Sequence, residues 1–337
     1  MENQAICKEV KQDVAGVKTF VFETETIFTF LPGQFITLTL PTQQGPLLRS
    51  YTLSSSPKND NFFSITVRAV PNGKGSNWLH QYLEPGMSLT YTGAYGRFIP
   101  AEYETQKLLL LAAGSGITPH LSTLRTWRDK AVSVDAHLIF SVRSPDQIIE
   151  YYELLSLANS IKGLTLTILP EILDNQSWHG ISGRLDALWL TALCRDIAER
   201  QIFTCGPTPY MQAIKKYLTD QDIGLSRYHE EAFVSPDFEV SVPATVNTET
   251  NSFSVHFAKS DIKVSTQGQE SLLDLAEKAG IKVKNACRAG ICGACRTFKK
   301  SGNVNMKDLG GILPNEVNQG MVLMCCSKPT SDLVLDI

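Results

Sequence analysis

The chain has 337 residues, 43% of them apolar and 19% charged, enough for two or three ordinary globular domains. A net charge of −3 at pH 7 argues against the basic stripe of a nucleic-acid binder, and the longest aliphatic run, Leu108 to Ala113, is far short of the ~20 residues of a membrane span. The N-terminal MENQAICKEV carries acidic residues and no apolar core, so a signal peptide is not expected and a cytoplasmic location is.

The first ~100 residues read as antiparallel β structure. Runs rich in Val, Ile, Thr and aromatics (Thr19–Phe22, Phe35–Leu40, Phe62–Val70, Ser88–Tyr91) are separated by turn clusters at 31–33, 54–60, 71–75 and 84–86. Such spacing predicts a barrel or a sandwich. The pattern changes at Lys107. LLLLAAGSGITP is an apolar run without alternation, as expected of a strand buried on both faces, and it ends in a Gly-rich turn. Further core strands are predicted at His137–Val142, Leu164–Leu169 and Ile202–Thr204, with helices near 119–130, 146–159, 186–200 and 207–220. This alternation predicts a parallel α/β domain. Residues 235–252, polar and proline-containing, read as a linker. Beyond it Phe253/Val255/Phe257 and Ile262/Val264 alternate as a hairpin, and SLLDLAEKAG reads as a short helix with Ser271 and Asp274 as a capping pair and Gly280 as its stop. Hairpin, helix and further strands predict a small α+β fold.

Eight cysteines in such a chain point to metal or catalysis more than to disulfides. Cys7, Cys194 and Cys205 are scattered, whereas Cys287, Cys292, Cys295, Cys325 and Cys326 fall within the last 51 residues. Cys287-x4-Cys292-x2-Cys295, with a further cysteine about thirty residues on, matches the plant-type spacing for a 2Fe-2S cluster. Three thiolates from one tight loop can wrap one side of a small cluster, and the small residues between them let backbone N–H groups approach sulfur. Zinc sites usually present two short cysteine pairs, which this spacing does not.

Gly114-Ser115-Gly116-Ile117-Thr118-Pro119 follows a predicted strand and opens a helix, so its backbone can approach a pyrophosphate at a helix N-terminus. Alone the turn is weak and departs from the G-x-G-x-x-G fingerprint. Cys205-Gly206-Pro207 also ends a strand and opens a helix, and two such turns would flank one crevice, with the Cys205 sulfur beside a nicotinamide ring. A core cysteine is the simpler alternative. In the β region, Arg49-Ser50-Tyr51-Thr52 offers a phosphate-binding fork, an aromatic face and a hydroxyl, and Gly73-Lys74-Gly75-Ser76 follows one strand later.

The order of these motifs, R-x-Y-[ST], G-x-x-S, G-x-G-x-T-P and C-G-P, resembles the ferredoxin–NADP reductase superfamily across residues 1–233. With its C-terminal plant-type ferredoxin segment, the whole chain resembles the NADH oxidoreductases that serve hybrid cluster protein. The resemblance implies an FAD-binding antiparallel β-barrel (1–103), an NAD(P)-binding parallel α/β domain (104–234), the linker, and a β-grasp ferredoxin domain (253–337). It places Arg49, Tyr51, Thr52, Arg68, Lys74, Gly75 and Ser76 at FAD, and Gly114, Gly116, Thr118, Pro119, Cys205, Gly206 and Pro207 at the nicotinamide nucleotide. Glu231 and Phe233, in HEEAF, match the E-x-F ending of such reductases, with Phe233 near the ring or else a core aromatic. In plant-type ferredoxins the closing cysteine follows a Val-Leu-x triplet, so VLM at 322–324 makes Cys325, not Cys326, the fourth ligand after Cys287, Cys292 and Cys295. Arg143 follows a core strand where a 2′-phosphate could lie; relatives with a similar residue use NADH, so NADH is the expected donor and NADPH the alternative.

Phthalate dioxygenase reductase shares the implied domain order but uses FMN; the G-x-x-S motif favours FAD here. Reductases of phenylacetyl-CoA oxygenation share it and use FAD. NAD(P)H surrenders two electrons as hydride, a 2Fe-2S cluster takes one, and a flavin can do either, which is why the three belong in one chain. The expected function is therefore electron transfer from NADH through FAD and 2Fe-2S to a partner protein, with hybrid cluster protein as the acceptor implied by resemblance. An oxygenase or desaturase component is the alternative acceptor, and a redox sensor without turnover a more distant one. No nucleic-acid or membrane partner is expected.

Overall fold

In the computed structural model the described residues are 3–58, 60–233, 252–285, 287–308, 310–312 and 314–337. They form two compact units, one of residues 3–94 and 98–233 and the other of residues 95–97 and 252–337.

The first unit opens with strands β1 (Asn3–Val14), β2 (Val17–Thr24), β3 (Phe35–Thr42), β4 (Gly45–Thr52) and β5 (Phe62–Arg68), then helix α1 (Lys74–Tyr82) and β6 (Ser88–Tyr95). The order across the sheet is β4-β3-β6-β1-β2-β5, with antiparallel pairing. Its two outer strands meet beyond β4, where Leu53 bridges Ile65 and the Ser54 amide donates to the Ser64 carbonyl at 2.8 Å. That closure removes the open edges a six-stranded sheet would otherwise expose. Phe20, Phe22, Ile36, Leu38 and Phe63 fill the interior, and Leu79 of α1 plugs it. Gly73-Lys74-Gly75-Ser76, read from sequence only as a turn, proves to open a helix.

The α/β region contains β7 (Lys107–Ala113), α2 (Thr118–Asp129), β8 (Asp135–Val142), α3 (Tyr151–Ser160), β9 (Leu164–Pro170), α4 (Ala187–Leu193), β10 (Gln201–Cys205), α5 (Thr208–Asp220) and β11 (Tyr228–Glu231). The strands are parallel in the order β11-β10-β7-β8-β9. The unbroken apolar run of β7 now has its reason: Leu108, Leu110 and Ala112 enter one core with α2 and α3, while Leu109 and Leu111 enter another with α4 and α5. Two predicted helices are shorter than expected. The one near 146–159 starts only at Tyr151, because Pro145–Gln147 form a single tight turn and Glu150 takes φ +53°. The one near 186–200 ends at Leu193, and Asp196 turns its carboxylate to Arg200 at 2.8 Å.

The second unit holds β12 (Phe253–Phe257), β13 (Ile262–Thr266), α6 (Leu272–Lys278), β14 (Arg296–Ser301), β15 (Val304–Met306), α7 (Pro314–Asn318), β16 (Met321–Leu323), β17 (Ser327–Pro329) and β18 (Leu333–Leu335). Its mixed sheet runs β13-β12-β18-β14-β16, with β12 parallel to β18. Leu272 and Leu275 of α6 pack with Val255, Phe257, Leu323 and Leu335 in one core, the small α+β arrangement expected. The Ser271 hydroxyl caps α6 by accepting from the Asp274 amide at 3.1 Å. The predicted linker at 235–252 lies outside the described residues except for Ser252. Among the described residues no helix is long and apolar enough to cross a membrane.

Candidate functional site

In the parallel sheet the chain order reverses between β10 and β7, and ligands in open α/β folds bind outside the carboxyl ends of strands at such a point. Both glycine turns predicted from sequence end those two strands. They touch: a Cβ on Gly116 would lie 2.5 Å from the Cys205 carbonyl carbon and closer to its oxygen, and one on Gly206 would lie 2.9 Å from the Ala113 Cβ. Gly114 has φ +55°, the Thr118 hydroxyl donates to the Ser115 carbonyl at 3.1 Å, and Pro119 occupies the first turn of α2, where its missing N–H costs nothing. Pro207 caps α5, its carbonyl accepting from the Tyr210 and Met211 amides. Two helix N-termini with no acidic residue in their first turns therefore open beside one crevice, a fit to a dinucleotide phosphate. Arg143 is exposed at the end of β8, one strand away.

On the barrel side, β4 carries Arg49, Tyr51 and Thr52, and the N-terminus of α1 carries Lys74, Gly75 and Ser76. The two motifs meet, since a Cβ on Gly75 would lie 2.6 Å from Arg49 Cγ and 2.9 Å from Tyr51 Oη. Burial pushes the Tyr51 phenol well above its usual range, with the Arg49 charge opposing it. The Ser76 hydroxyl accepts from the Val70 amide at 3.2 Å. Arg68, half-buried at the end of β5, has its pKa lowered by burial, and among the described residues no anion offsets that. A guanidinium half out of water without a counter-charge fits a phosphate.

Barrel and α/β region come together at Thr52, whose hydroxyl donates to Glu231 Oε2 at 3.3 Å across 179 positions of sequence. Glu231 on β11 lies in register with Cys205 on β10. Cys205 is fully buried and Glu231 4% exposed. Burial raises the Glu231 carboxyl to about 8, the Thr52 hydrogen bond opposing it, and lifts the Cys205 thiol well above its usual range, with Glu231 adding to the shift. Phe233 is 47% exposed, which disposes of the core-aromatic alternative.

The Glu231 shift has a thermodynamic consequence. A carboxyl raised from 4.5 to about 8 binds its proton more tightly in the folded state, so stability is fully present below about pH 4.5 and declines as pH rises through 8. The loss is at most about 4–5 kcal/mol. Thermal denaturation of the apoprotein should show a Tm that falls between pH 5 and 9, and Glu231→Gln should flatten that fall. A wild-type profile as flat as the variant's would contradict the assignment.

In the second unit the loop 287–295 is folded around sulfur. The amides of Ala289, Ile291 and Cys292 point to Cys287 Sγ at 3.3–3.4 Å, that of Gly290 to Cys325 Sγ at 3.3 Å, that of Ala294 to Cys292 Sγ and that of Cys325 to Cys295 Sγ at 3.4 Å. Six N–H donors aimed at four thiols form the environment that stabilises thiolates and bridging sulfides. Their titrations are linked: hydrogen bonds from Cys292 and then Cys325 hold the Cys287 thiol low, while Cys292 and Cys325 are driven up. The thiol and amide arrangement fits a cluster. Cys326 Sγ also comes close to the loop, where a Cβ on Gly290 would lie 2.9 Å from it, and its thiol is directed to the Leu323 carbonyl at 3.8 Å.

Backbone shape makes the loop possible. Arg288 takes φ +53° and is anchored to α6 through Glu277 at 2.7 Å and Asp274 at 3.0 Å. Gly311 packs against the loop so closely that a Cβ would lie 2.6 Å from the Gly290 carbonyl oxygen. Sequence reasoning passed over Gly311, although the Gly310–Gly311 pair was a visible signal.

Three family models match the chain: an oxidoreductase FAD-binding domain at residues 6–99, an oxidoreductase NAD-binding domain at 110–216 and a 2Fe-2S iron-sulfur cluster binding domain at 255–330. The glycine betaine monooxygenase reductase subunit of Pseudomonas aeruginosa is 38% identical over 98% of this chain and 94% of its own. NADH oxidoreductase HCR of Escherichia coli is 30% identical over 97% and 95%. Among solved structures, phthalate dioxygenase reductase superposes with a TM-score of 0.62 at 20% identity, covering 100% of this chain and 98% of that one.

Proposed function

Because the chain belongs to the oxidoreductase family that joins FAD-binding, NAD-binding and 2Fe-2S domains in one polypeptide, and is an electron-transfer reductase, we propose that it is the reductase component of an oxygenase system. The observation that carries this reading is the 38% identity to a monooxygenase reductase subunit along nearly the whole chain, against 30% to the HCR oxidoreductase. The acceptor is then an oxygenase component, with hybrid cluster protein as the second reading.

When bound, FAD would supply a centre able to take hydride from NADH, and a 2Fe-2S cluster would supply one-electron transfer to the acceptor. The side chains do the positioning. Arg49, Arg68 and Lys74, with the α1 amides at Gly75 and Ser76, hold the FAD phosphates, and Tyr51 and Phe233 border the ring. Thr52 and a protonated Glu231 keep the reaction pocket uncharged at neutral pH, and the buried, neutral Cys205 thiol backs the place where the nicotinamide would lie. Gly114, Gly116, Thr118, Pro119, Gly206 and Pro207 seat the nucleotide; Arg143 lies toward its adenosine end, and the donor is NADH. Cys287, Cys292, Cys295 and Cys325 hold the cluster. Domain boundaries fall near 103, 234 and 252.

The test is anaerobic reduction with NADH followed by mixing with a purified oxygenase component of the glycine betaine type or with hybrid cluster protein. Reoxidation of cluster absorbance accelerated by the oxygenase component is the expected result. Acceleration by hybrid cluster protein alone would move the assignment to that acceptor, and no reduction by NADH or NADPH would overturn the reductase reading.

A further inference from the structure

We propose that Arg125 is a positioning residue that sets the distance between the flavin strand and the nicotinamide turn. Helix α2 begins at Thr118, inside the nucleotide turn, and two turns later presents one face to residues 54–56, the segment that directly follows Thr52. The contacts come at residues 122, 125 and 129, a spacing that lies along one side of a helix. The Ser122 hydroxyl donates to the Ser55 carbonyl at 2.6 Å, Arg125 Nη1 donates to the Ser54 carbonyl at 2.6 Å, and Asp129 Oδ2 accepts from the Ser56 hydroxyl at 2.8 Å. Of the three, Arg125 also reaches a further element: its Nε donates to Glu153 Oε1 at 2.9 Å and its Nη2 to Glu150 Oε1 at 3.2 Å, both on or beside α3.

Two features separate this from an ordinary surface ion pair. The Arg125 side chain is 12% exposed, so its charge is held by built partners and not by water. Glu150 sits at φ +53°, a conformation unfavourable for a residue with a side chain, and it persists where surrounding contacts impose it. The fork of the guanidinium thus ties three pieces together: the strand extension beyond Thr52, the helix that carries the nucleotide turn, and the start of α3. A lysine can make one of these bonds at a time and cannot reproduce the fork. Hydride transfer depends steeply on the separation of the two rings, and a misplacement of about 1 Å can cost about 100-fold.

This inference rests on the placement of flavin and nicotinamide proposed above. The experiment compares wild type, Arg125→Lys and Arg125→Met in anaerobic stopped-flow with NADH, reading the flavin reduction rate, the KM for NADH, the FAD content and the long-wavelength absorbance of nicotinamide stacked on flavin. We expect the rate to fall about tenfold or more and the stacking absorbance to weaken in both variants, with KM and FAD content unchanged. In the apoprotein, hydrogen exchange of the amides at 53–58 should rise. If Arg125→Met fails to fold, Glu150→Ala and Glu153→Ala, each removing one arm of the fork, should give the same signature at smaller scale. An unchanged rate and absorbance, or a rate loss matched by FAD loss, overturns the proposal. Cys205→Ser separates the two premises: if it leaves the stacking absorbance untouched the ring placement is wrong, and if it alters the absorbance while Arg125→Lys does not, only the clamp is wrong.

Discussion

Replacing Cys325 with serine should strip the protein of its cluster, while Cys326→Ser should leave iron content and visible absorbance near wild type. The two thiols are adjacent in sequence and both lie near Gly290, but the loop amides single out one of them. Cys325 receives the Gly290 amide on its sulfur, and its own amide points to Cys295 Sγ, so it closes the ring begun by the 287–295 loop. Cys326 Sγ is directed to the Leu323 carbonyl at 3.8 Å, and among the described residues no loop amide donates to it. Iron should fall from about two per chain to near zero in Cys325→Ser, with NADH still able to bleach the flavin. Iron analysis and absorbance spectra of the two variants, purified anaerobically side by side, decide the matter. Equal iron loss in both, or loss only in Cys326→Ser, would reassign the fourth ligand.

A comparably large effect is expected from one methyl group at Gly116. The clash of an added Cβ is with the Cys205 backbone, which is held on both sides by β7 and β11, so no flexible side chain can move aside. Relief requires the carboxyl ends of β7 and β10 to part by roughly 1 Å, which opens the crevice where the nucleotide phosphate and ring would lie. Flavin reduction by NADH should drop by about 100-fold or more in Gly116→Ala, while FAD, held on the barrel, stays bound. Gly224→Ala, whose Cβ meets only Ser226 Oγ at 3.9 Å, serves as the neutral control. Near-wild-type reduction rates in Gly116→Ala would mean that the two turns do not form one site.

What could be read directly from sequence was what is local. The ligand spacing from Cys287 to Cys295 is a property of one loop, and the unbroken Leu108–Ala113 run reports a strand with two buried faces. The glycine turns after β7 and β10 were legible because strand, turn and helix follow one another in the chain. The pairing of Thr52 with Glu231 was not legible: each residue could be assigned by resemblance, but nothing in either segment specifies a contact across 179 positions. Arg125 was hidden more thoroughly. A charged residue on a helix usually marks a solvated face, and only the packing of α2 against residues 54–56 turns it inward. Helix α1 was missed because glycines stand at its N-cap (Gly73) and its second residue (Gly75) and lower the helical propensity there, and tertiary packing of Leu79 into the barrel overrides it.

The order of strands in the second unit also bears on how the protein is made. β18, the last strand in sequence, lies between β12 and β14 in the middle of its sheet and pairs with both. A growing chain that has already displayed Cys287, Cys292, Cys295 and Cys325 still lacks the strand that unites the two halves of the sheet beneath them. Iron loading onto a finished fold must then wait until residues 333–335 have left the ribosome, and the thiols need keeping reduced in the interval. A chain cut just before Leu333 would retain all four ligands and still lack a completed platform to hold them.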